Sequence, residues 1–500
     1  MSNDQKNILV IGGSVAGLGV GLTLSADGHR VTILESDPSP MPESHAEAFE
    51  TWERKGAPQV WHSHALLGKL HKLIKERAPG LLDELLARGA EELPFADMAR
   101  RMIENPTFEP EDEEIVLLAC RRITFEWVLR RHVLDTGLVD FKDGVAVTGL
   151  AATKDSTTGL PLVTGVRLKE RDGTERTLEA DLIVDASGRR SKLKHWLTEI
   201  GARPILEESE PCGIFYTSRF YRLHEGAEPP MLEGPIVGED LGYMKAGLFP
   251  GDDRVFSLTL AVSPDDAVMR SVLHQPGFEA AAAAVPRVAG WVSPETSAPI
   301  SKIHAMTNLR NTRRQFVVDG EPVALGVLAV GDAAIHANPI TGRGCTLAWM
   351  GAAMLADALQ KIPNDLRALA LEIDTQIEEH IIPWYQMQVQ QDRDGIETER
   401  ALQRGEDPFQ VTKADGSTDP KAFMRSVIRE GLMPAMRSDI VVLRRFMRFG
   451  NLLDPPGDLM RDPDLLQRIL AVYNTRSERE PLLQGPTRSE MVDILQSLAA

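Results

Sequence analysis

Residues 7–35 read NILVIGGSVAGLGVGLTLSADGHRVTILE, and the fold class follows from them. Asn7 to Ile11 is a short apolar run that ends in glycines, the pattern of a buried parallel strand. Gly17 to Ala26 reads as a helix with small residues on one side, and Gly28 supplies its C-terminal stop. Val31 to Leu34 is a second strand, and it ends in Glu35. Strand, glycine turn, helix and strand together make one βαβ unit.

The turn itself is Gly12-Gly13-Ser14-Val15-Ala16-Gly17. Set against the dinucleotide fingerprint G-x-G-x-x-G, Gly12 makes the tight turn and Gly17 lets helix and strand pack closely. Ser14 stands where a glycine normally lets a pyrophosphate approach the backbone. A serine is small enough there, and it adds a hydroxyl donor. The helix N-terminus beyond it offers N–H groups and a partial positive charge to phosphate. Glu35 follows Gly17 by 18 residues, so its carboxylate can accept both hydroxyls of an adenosine ribose. It would repel a 2′-phosphate, which favours FAD or NAD over NADP. The alternative is a glycine turn with no ligand; the flanking strand, helix and acid argue against it.

Two distant segments narrow the dinucleotide to FAD. They are residues 181–191, DLIVDASGRRS, and residues 325–344, LGVLAVGDAAIHANPITGRG. Each is a buried strand delivering an Asp to its carboxyl end, where open α/β sheets bind ligands. Asp332 is suited to a ribityl hydroxyl, and Gly331 to close backbone approach. Pro339, Gly342 and Gly344 precede a helix whose N–H groups can face the pyrimidine end of a flavin.

With these residues in view, the chain resembles the FAD-dependent monooxygenase superfamily typified by para-hydroxybenzoate hydroxylase. The resemblance spans Asn7 to about Leu359. It rests on Gly12–Gly17 with Glu35, on Asp185-Ala-Ser-Gly188, and on Gly331-Asp332 with Pro339-x-x-Gly342-x-Gly344, in that order. It implies an α/β fold: a three-layer Rossmann-type FAD-binding domain interleaved with an antiparallel-sheet substrate domain, plus a helical C-terminal region. The expected boundaries are 1–85, 115–200 and 315–365 for the first, 86–114 and 201–314 for the second, and 366–500 for the third. It also implies FAD contacts from Gly13, Ser14, Val15, Ala16, Ser36, Val145, Asp185, Gly188, Arg343 and Cys345. Arg122 matches the arginine such flavoproteins place near the FAD phosphates and ribityl chain; the alternative is an ordinary helix-cap arginine.

Aromatic hydroxylases usually carry Asp-Gly in the middle motif, whereas Ala186 follows Asp185 here. This version looks more like the branch of flavin epoxidases, geranylgeranyl reductases and halogenases. Lys55 to Leu67, KGAPQVWHSHALL, is similar to a segment of the epoxidase-like proteins. Halogenases carry Trp-x-Trp-x-Ile-Pro, and no such motif occurs among the seven tryptophans.

The implied activity is insertion of one oxygen atom of O2 into an organic, apolar substrate through a flavin C4a-(hydro)peroxide. Epoxidation and hydroxylation both fit. The alternatives are an FAD-dependent reductase of isoprenoid C=C bonds and a flavin-binding protein without turnover. No second complete glycine-rich βαβ unit is visible for a resident nicotinamide. Electrons are expected from NAD(P)H visiting the flavin transiently, or from a partner flavin reductase.

Composition agrees with a soluble enzyme of 500 residues, 43% hydrophobic and 26% charged. A net charge of -18 argues against nucleic acid and anionic membranes as partners. Cys120, Cys212 and Cys345 are odd in number and widely spaced, so no metal site or disulfide framework is expected. Free thiols and the polar start MSNDQK fit a cytoplasmic protein without a secretory signal or membrane span.

Other elements are read from pattern. Residues 61–87 are expected to be helical with a break at Pro79-Gly80, and residues 104–114 an exposed acidic connection. Phe125–Leu134 reads as a helix, and 145–150, 162–168 and 175–178 as an antiparallel meander. Strands are expected at 214–221, 243–249 and 255–262, helices at 347–359 and over most of 366–391, and a loop at 401–418.

A flavin oxygenase needs few protein acids or bases, because the cofactor carries the chemistry. His62 and His64 are the catalytic candidates: either can donate a hydrogen bond or shuttle a proton. The alternative is a structural contact at a helix start, and Gln59 shares that position. His336, Asn338 and Thr341 follow Gly331-Asp332 and suit packing as well as chemistry. Arg219 and Arg222 would bind an acidic substrate or form a surface salt bridge. Met424, Met433, Met436 and Met447 would line an apolar pocket or fill core.

Overall fold

A computed structural model describes residues 5–170, 172–228, 230, 237–459, 461–479 and 485–498. The first four residues of the polar start, and parts of the C-terminal helical region, lie outside the described residues. The organising layer is a five-stranded parallel sheet. Its order is Val327–Ala329, Leu182–Asp185, Asn7–Ile11, Arg30–Glu35, Val139–Asp143. Ile8, Leu9, Val10 and Ile11 are all buried, as a strand covered on both faces requires. The register sets Ile11 opposite both Leu34 and Asp185, so three strand ends meet at one place.

Helix Val15–Ala26 covers one face and packs on helix Gly344–Lys361. Its small residues serve that packing: a Cβ on Gly19 would sit 3.1 Å from the Trp349 indole nitrogen. The meander is present as Ala146–Lys154, Pro161–Lys169 and Glu175–Glu179.

A six-stranded antiparallel sheet is built around Phe215–Leu223 and Val255–Val262. Every residue of the latter is buried, but its two faces differ. Phe256, Leu258, Leu260 and Val262 join a core shared with Phe278, Met491 and Leu495. Ser257, Thr259 and Ala261 occupy the opposite face by strand alternation. Tyr216, Ser218 and Phe220 share that second face, where Ser218 Oγ lies 2.7 Å from Thr259 Oγ1 and Phe220 packs on Phe49.

Several expectations need correction. Residues 62–67 are not helical: a single turn Pro58–Trp61 precedes helix Gly68–Arg77. The break falls at Ala78, because Pro79 opens the next helix, Pro79–Ala87, where its missing N–H is harmless. Residues 104–114 are not simply an exposed connection. Asp112 is buried and accepts from Arg444 Nε at 2.6 Å. Helix Ile382–Gln403 runs into the expected loop at 401. Two pairings escaped pattern reading: Glu91–Pro94 with Val116–Ala119, and Leu206–Pro211 with Arg310–Gln315. Among the described residues, no helix is long and apolar enough to cross a membrane.

Candidate active site

The glycine turn sits where the three strand ends meet. Gly12 has φ +104°, and a Cβ there would lie 2.7 Å from the Ala186 carbonyl oxygen. A Cβ on Gly17 would lie 1.8 Å from the Gly12 carbonyl oxygen. The first and middle motifs are therefore packed backbone to backbone. Ser14 is the N-cap of helix Val15–Ala26, yet its side chain does not cap it. Its hydroxyl donates instead to Glu126 Oε2 at 2.8 Å and accepts from Arg122 Nη2 at 3.1 Å. The helix's leading N–H groups are left without a side-chain acceptor, as an anion site needs.

Arg122 opens helix Arg122–Asp135 and is buried, so it is no surface cap. Its Nη1 donates to Glu126 at 2.5 Å, and it lies beside the thiol of Cys345, the residue after the third motif. Glu35 is buried and accepts from the N–H of Gly13 at 3.1 Å and of Asp37 at 2.8 Å. Val145 is tied to the same residue, its N–H donating to the Glu35 carbonyl at 2.9 Å. Ser36 is exposed next to it.

Pattern reading missed the hub of this region. Arg54 is buried and donates to Glu126 at 2.8 Å, Asp37 at 3.0 Å and Glu35 at 3.2 Å. Burial opposes its charge, but Glu126 and Glu35 overcome that and hold its pKa above the ordinary value. Burial likewise disfavours ionised Glu126, yet Arg122 and Arg54 bring it down to about 2. Arg130 lies over the Phe141 ring, 4.2 Å from its centroid. The signal for Arg54 was faint: it stands one residue before the segment quoted from Lys55.

Asp185 is buried and folds its own turn, accepting from the Ser187 N–H at 2.9 Å and the Ser191 hydroxyl at 2.5 Å. Burial pushes its carboxyl up. Gly188 lies in open space with φ +80°. Asp332 Oδ2 lies 3.0 Å from His336 Nδ1. Arg314 donates to the Asp332, Ala333 and Arg189 carbonyls, which clamps the middle and third motifs together. Pro339–Thr341 is a single helical turn, and Gly342 is left-handed at φ +69°. Helix Gly344–Lys361 then starts with no side-chain cap. The Arg343 side chain is turned back against Trp384 and Gln388 of helix Ile382–Gln403.

His62 is buried, its Nδ1 3.0 Å from Ser218 Oγ. Thr259 extends this polar chain by donating to Ser63 Oγ at 2.7 Å. Tyr216 meets the His62 ring edge-on at 5.0 Å, and His304 stacks on Trp61 at 5.1 Å. Burial lowers His62 to about 3, with His64, His304 and Arg189 adding to it. Burial also lowers His64 to about 4, and His304 to about 4. The His64 ring contacts the His62 carbonyl at 3.0 Å.

The remaining candidates are drawn elsewhere. Arg219 is buried and ion-paired with Glu279 at 2.6 Å, while Arg222 is exposed. Asn338 donates to Asp392, and Thr341 to Gln388. Met436 and Met447 are buried, whereas Met424 and Met433 are exposed.

A glycine turn at the carboxyl end of a parallel sheet, with an acid on the next strand and a Gly-Asp turn beside a bare helix start, is the frame of a flavin-dependent oxidoreductase. The family model for the FAD binding domain matches residues 5–368, and the chain belongs to that family. It is similar to Protein Rv3254 of Mycobacterium tuberculosis, 27% identical over 392 residues that cover 75% of this chain and 77% of that one. Among solved structures it is similar to PqsL of Pseudomonas aeruginosa, a probable FAD-dependent monooxygenase. That match has TM-score 0.54 and 18% identity, covering 80% of this chain and 98% of that one. It is also similar to the anhydrotetracycline hydroxylase OxyS of Streptomyces rimosus, with TM-score 0.54 and 18% identity over 90% and 76% of the two chains. A triple mutant of the flavin-dependent brominase Bmp2 has TM-score 0.55 and 18% identity, over 80% and 92%. At these identities the structural likenesses speak for the fold alone.

Proposed function

We propose that the protein is an FAD-dependent monooxygenase that puts one oxygen atom of O2 into an uncharged, apolar organic substrate, by epoxidation or hydroxylation. The observation that carries this reading is the packed ring cluster of Trp61, His62, Tyr216 and His304, whose imidazoles burial keeps neutral. Arg219 is engaged by Glu279, which removes one anchor for an acidic substrate. The pocket is read as lying between the flavin-binding segments and the 201–314 sheet.

The residues present fit FAD. The Gly12–Gly17 turn is a cradle that side chains would fill, and bare helix starts stand at Val15 and Gly344. Glu35 would take the ribose hydroxyls, Arg122 the phosphates, Asp332 the ribityl chain, and the Gly342–Gly344 backbone the pyrimidine edge. Bound flavin would supply electron transfer and oxygen activation. The protein's own task is to orient the substrate and exclude water, which buried rings do well. The Ser218–Thr259–Ser63 hydroxyl chain fixes His62 through Nδ1 and leaves Nε2 to hold or pass a proton as a neutral ring. Electrons would come from NAD(P)H or a partner reductase. The three unpaired thiols support a cytoplasmic setting.

Oxygen uptake by the FAD-loaded protein, with NAD(P)H and a panel of alkenes and arenes, tests this. The expected result is O2 consumption matched by a product heavier by one oxygen atom. Reduction of a C=C bond without O2 uptake would replace the reading with the reductase one. A second expectation concerns pH. His62 and His64 are depressed from 6.5, so the unfolded chain binds more protons below that value. Stability is fully held above pH 6.5 and falls on acidification, by about 1.4 kcal/mol per pH unit for each histidine. Urea unfolding across this range should show a shallower slope in His62→Gln.

A further inference from the structure

The Pro339–Gly344 segment is braced from behind by helix Ile382–Gln403. Gln388 Oε1 accepts from Thr341 Oγ1 at 2.9 Å and from Arg343 Nη1 at 3.2 Å. Gln388 Nε2 donates to Asp392 Oδ1 at 2.9 Å. The same carboxylate accepts from Asn338 Nδ2 at 2.8 Å and from Asn311 Nδ2 at 2.7 Å. All five residues Asn311, Asn338, Arg343, Gln388 and Asp392 are buried. The Gln388 amide has one workable orientation, its oxygen toward the cation and its nitrogen toward the anion.

The charges are placed unusually. Arg343 is met by the Gln388 amide and the Trp384 ring, and Asp392 by the amides of Asn311, Asn338 and Gln388 and the Cys212 thiol, all of them neutral groups. The Arg343 guanidinium lies 5.1 Å from the Trp384 ring centroid, and its Nε has no hydrogen-bond partner. Burial brings Arg343 down to about 10, with Asp392 alone opposing. A buried cation and a buried anion thus stand on either side of one amide, directly behind the start of helix Gly344–Lys361. Low dielectric makes each felt strongly at short range.

We propose that the Arg343–Gln388–Asp392 relay tunes the reduction potential of the flavin, with Asp392 offsetting the Arg343 charge through the polarised Gln388 amide. The inference rests on the flavin placement under Proposed function. Two electrons and one proton turn neutral oxidised flavin into an anionic reduced form, so a nearby positive charge favours reduction. These are positioning residues, since each acts on the field at the turn.

The experiment measures the potential of the FAD-loaded full chain by dye equilibration, with no substrate present. Asp392→Asn leaves Arg343 uncompensated and should raise the potential. Arg343→Gln should lower it, Arg343→Lys should hold it near wild type, and the double variant D392N/R343Q should return towards it. Each single shift should reach about 30 mV, a tenfold change for a two-electron couple. Loosening of the turn would move all variants the same way. Shifts of one sign, or none in variants with a bound-flavin spectrum, would overturn the proposal; if Asp392→Asn fails to fold, the Gln and Lys variants at Arg343 decide alone. A wild-type protein that takes up no FAD would overturn the flavin placement itself, and this inference with it.

Discussion

Gly17→Ala is expected to strip the folded protein of FAD. The new Cβ would stand 1.8 Å from the Gly12 carbonyl oxygen, a backbone atom with nowhere to go. Gly12 is pinned by its N–H bond to the Leu34 carbonyl at 2.8 Å, and Ala186 presses on its other side. The helix start must then move away from the turn that a pyrophosphate would occupy. A loss of roughly 100-fold in affinity, about 2.8 kcal/mol, is a modest expectation for that displacement. Gly17→Asp adds a negative charge and should be worse. Flavin absorbance retained after gel filtration, with circular dichroism as the fold control, decides it. Undiminished binding in either variant would refute the placement of the dinucleotide.

Arg54→Ala is expected to destabilise the protein by about 3–5 kcal/mol, because it leaves buried carboxylates short of their shared cation. Glu35, Asp37 and Glu126 all accept from Arg54, at 3.2, 3.0 and 2.8 Å. Arg54→Lys should recover only part of this, since one ammonium cannot present the planar three-way fork. The acid limb carries the sign. Glu126 is held at about 2 against an ordinary 4.5, so its contribution is complete above 4.5 and lost as pH falls towards 2. Removing Arg54 should move that loss to higher pH. Urea midpoints measured from pH 3 to 7 test both statements, and a change below about 1 kcal/mol would show that the cluster is not coupled as its distances indicate.

Local signals carried the framework. The apolar run Asn7–Ile11, the turn to Gly17 and the strand ending at Glu35 lie within one stretch, and their chemistry is local. The FAD binding domain and the mixed α/β fold were both legible from there and from the two strand-Asp motifs. What pattern could not supply were partners far apart in the chain. His62 meets Ser218 across 156 residues, and Asp112 meets Arg444 across 332. Phe125–Leu134 was legible as a helix, but not that Arg122, Glu126 and Arg130 are buried in Arg122–Asp135. Glu126 is satisfied by Arg54 and Ser14, Arg122 by Ser14 and Glu126, and Arg130 lies on the Phe141 ring, contacts that only the folded chain brings together. The acidic run 104–114 looks solvated for the same reason, until the arginine that buries Asp112 is known.

The strand order of the parallel sheet also bears on how the chain is made. The sheet places Val327–Ala329 beside Leu182–Asp185, although Ala329 follows Asp185 by 144 positions in the chain. At roughly 5–20 residues per second, a ribosome needs on the order of ten seconds or more to deliver the missing strand. Throughout that interval Leu182–Asp185 is an apolar edge with unpaired N–H and C=O groups, which invites pairing with another nascent chain. Slow codons between 186 and 326 would lengthen the exposure, and a chaperone bound during synthesis would shield it.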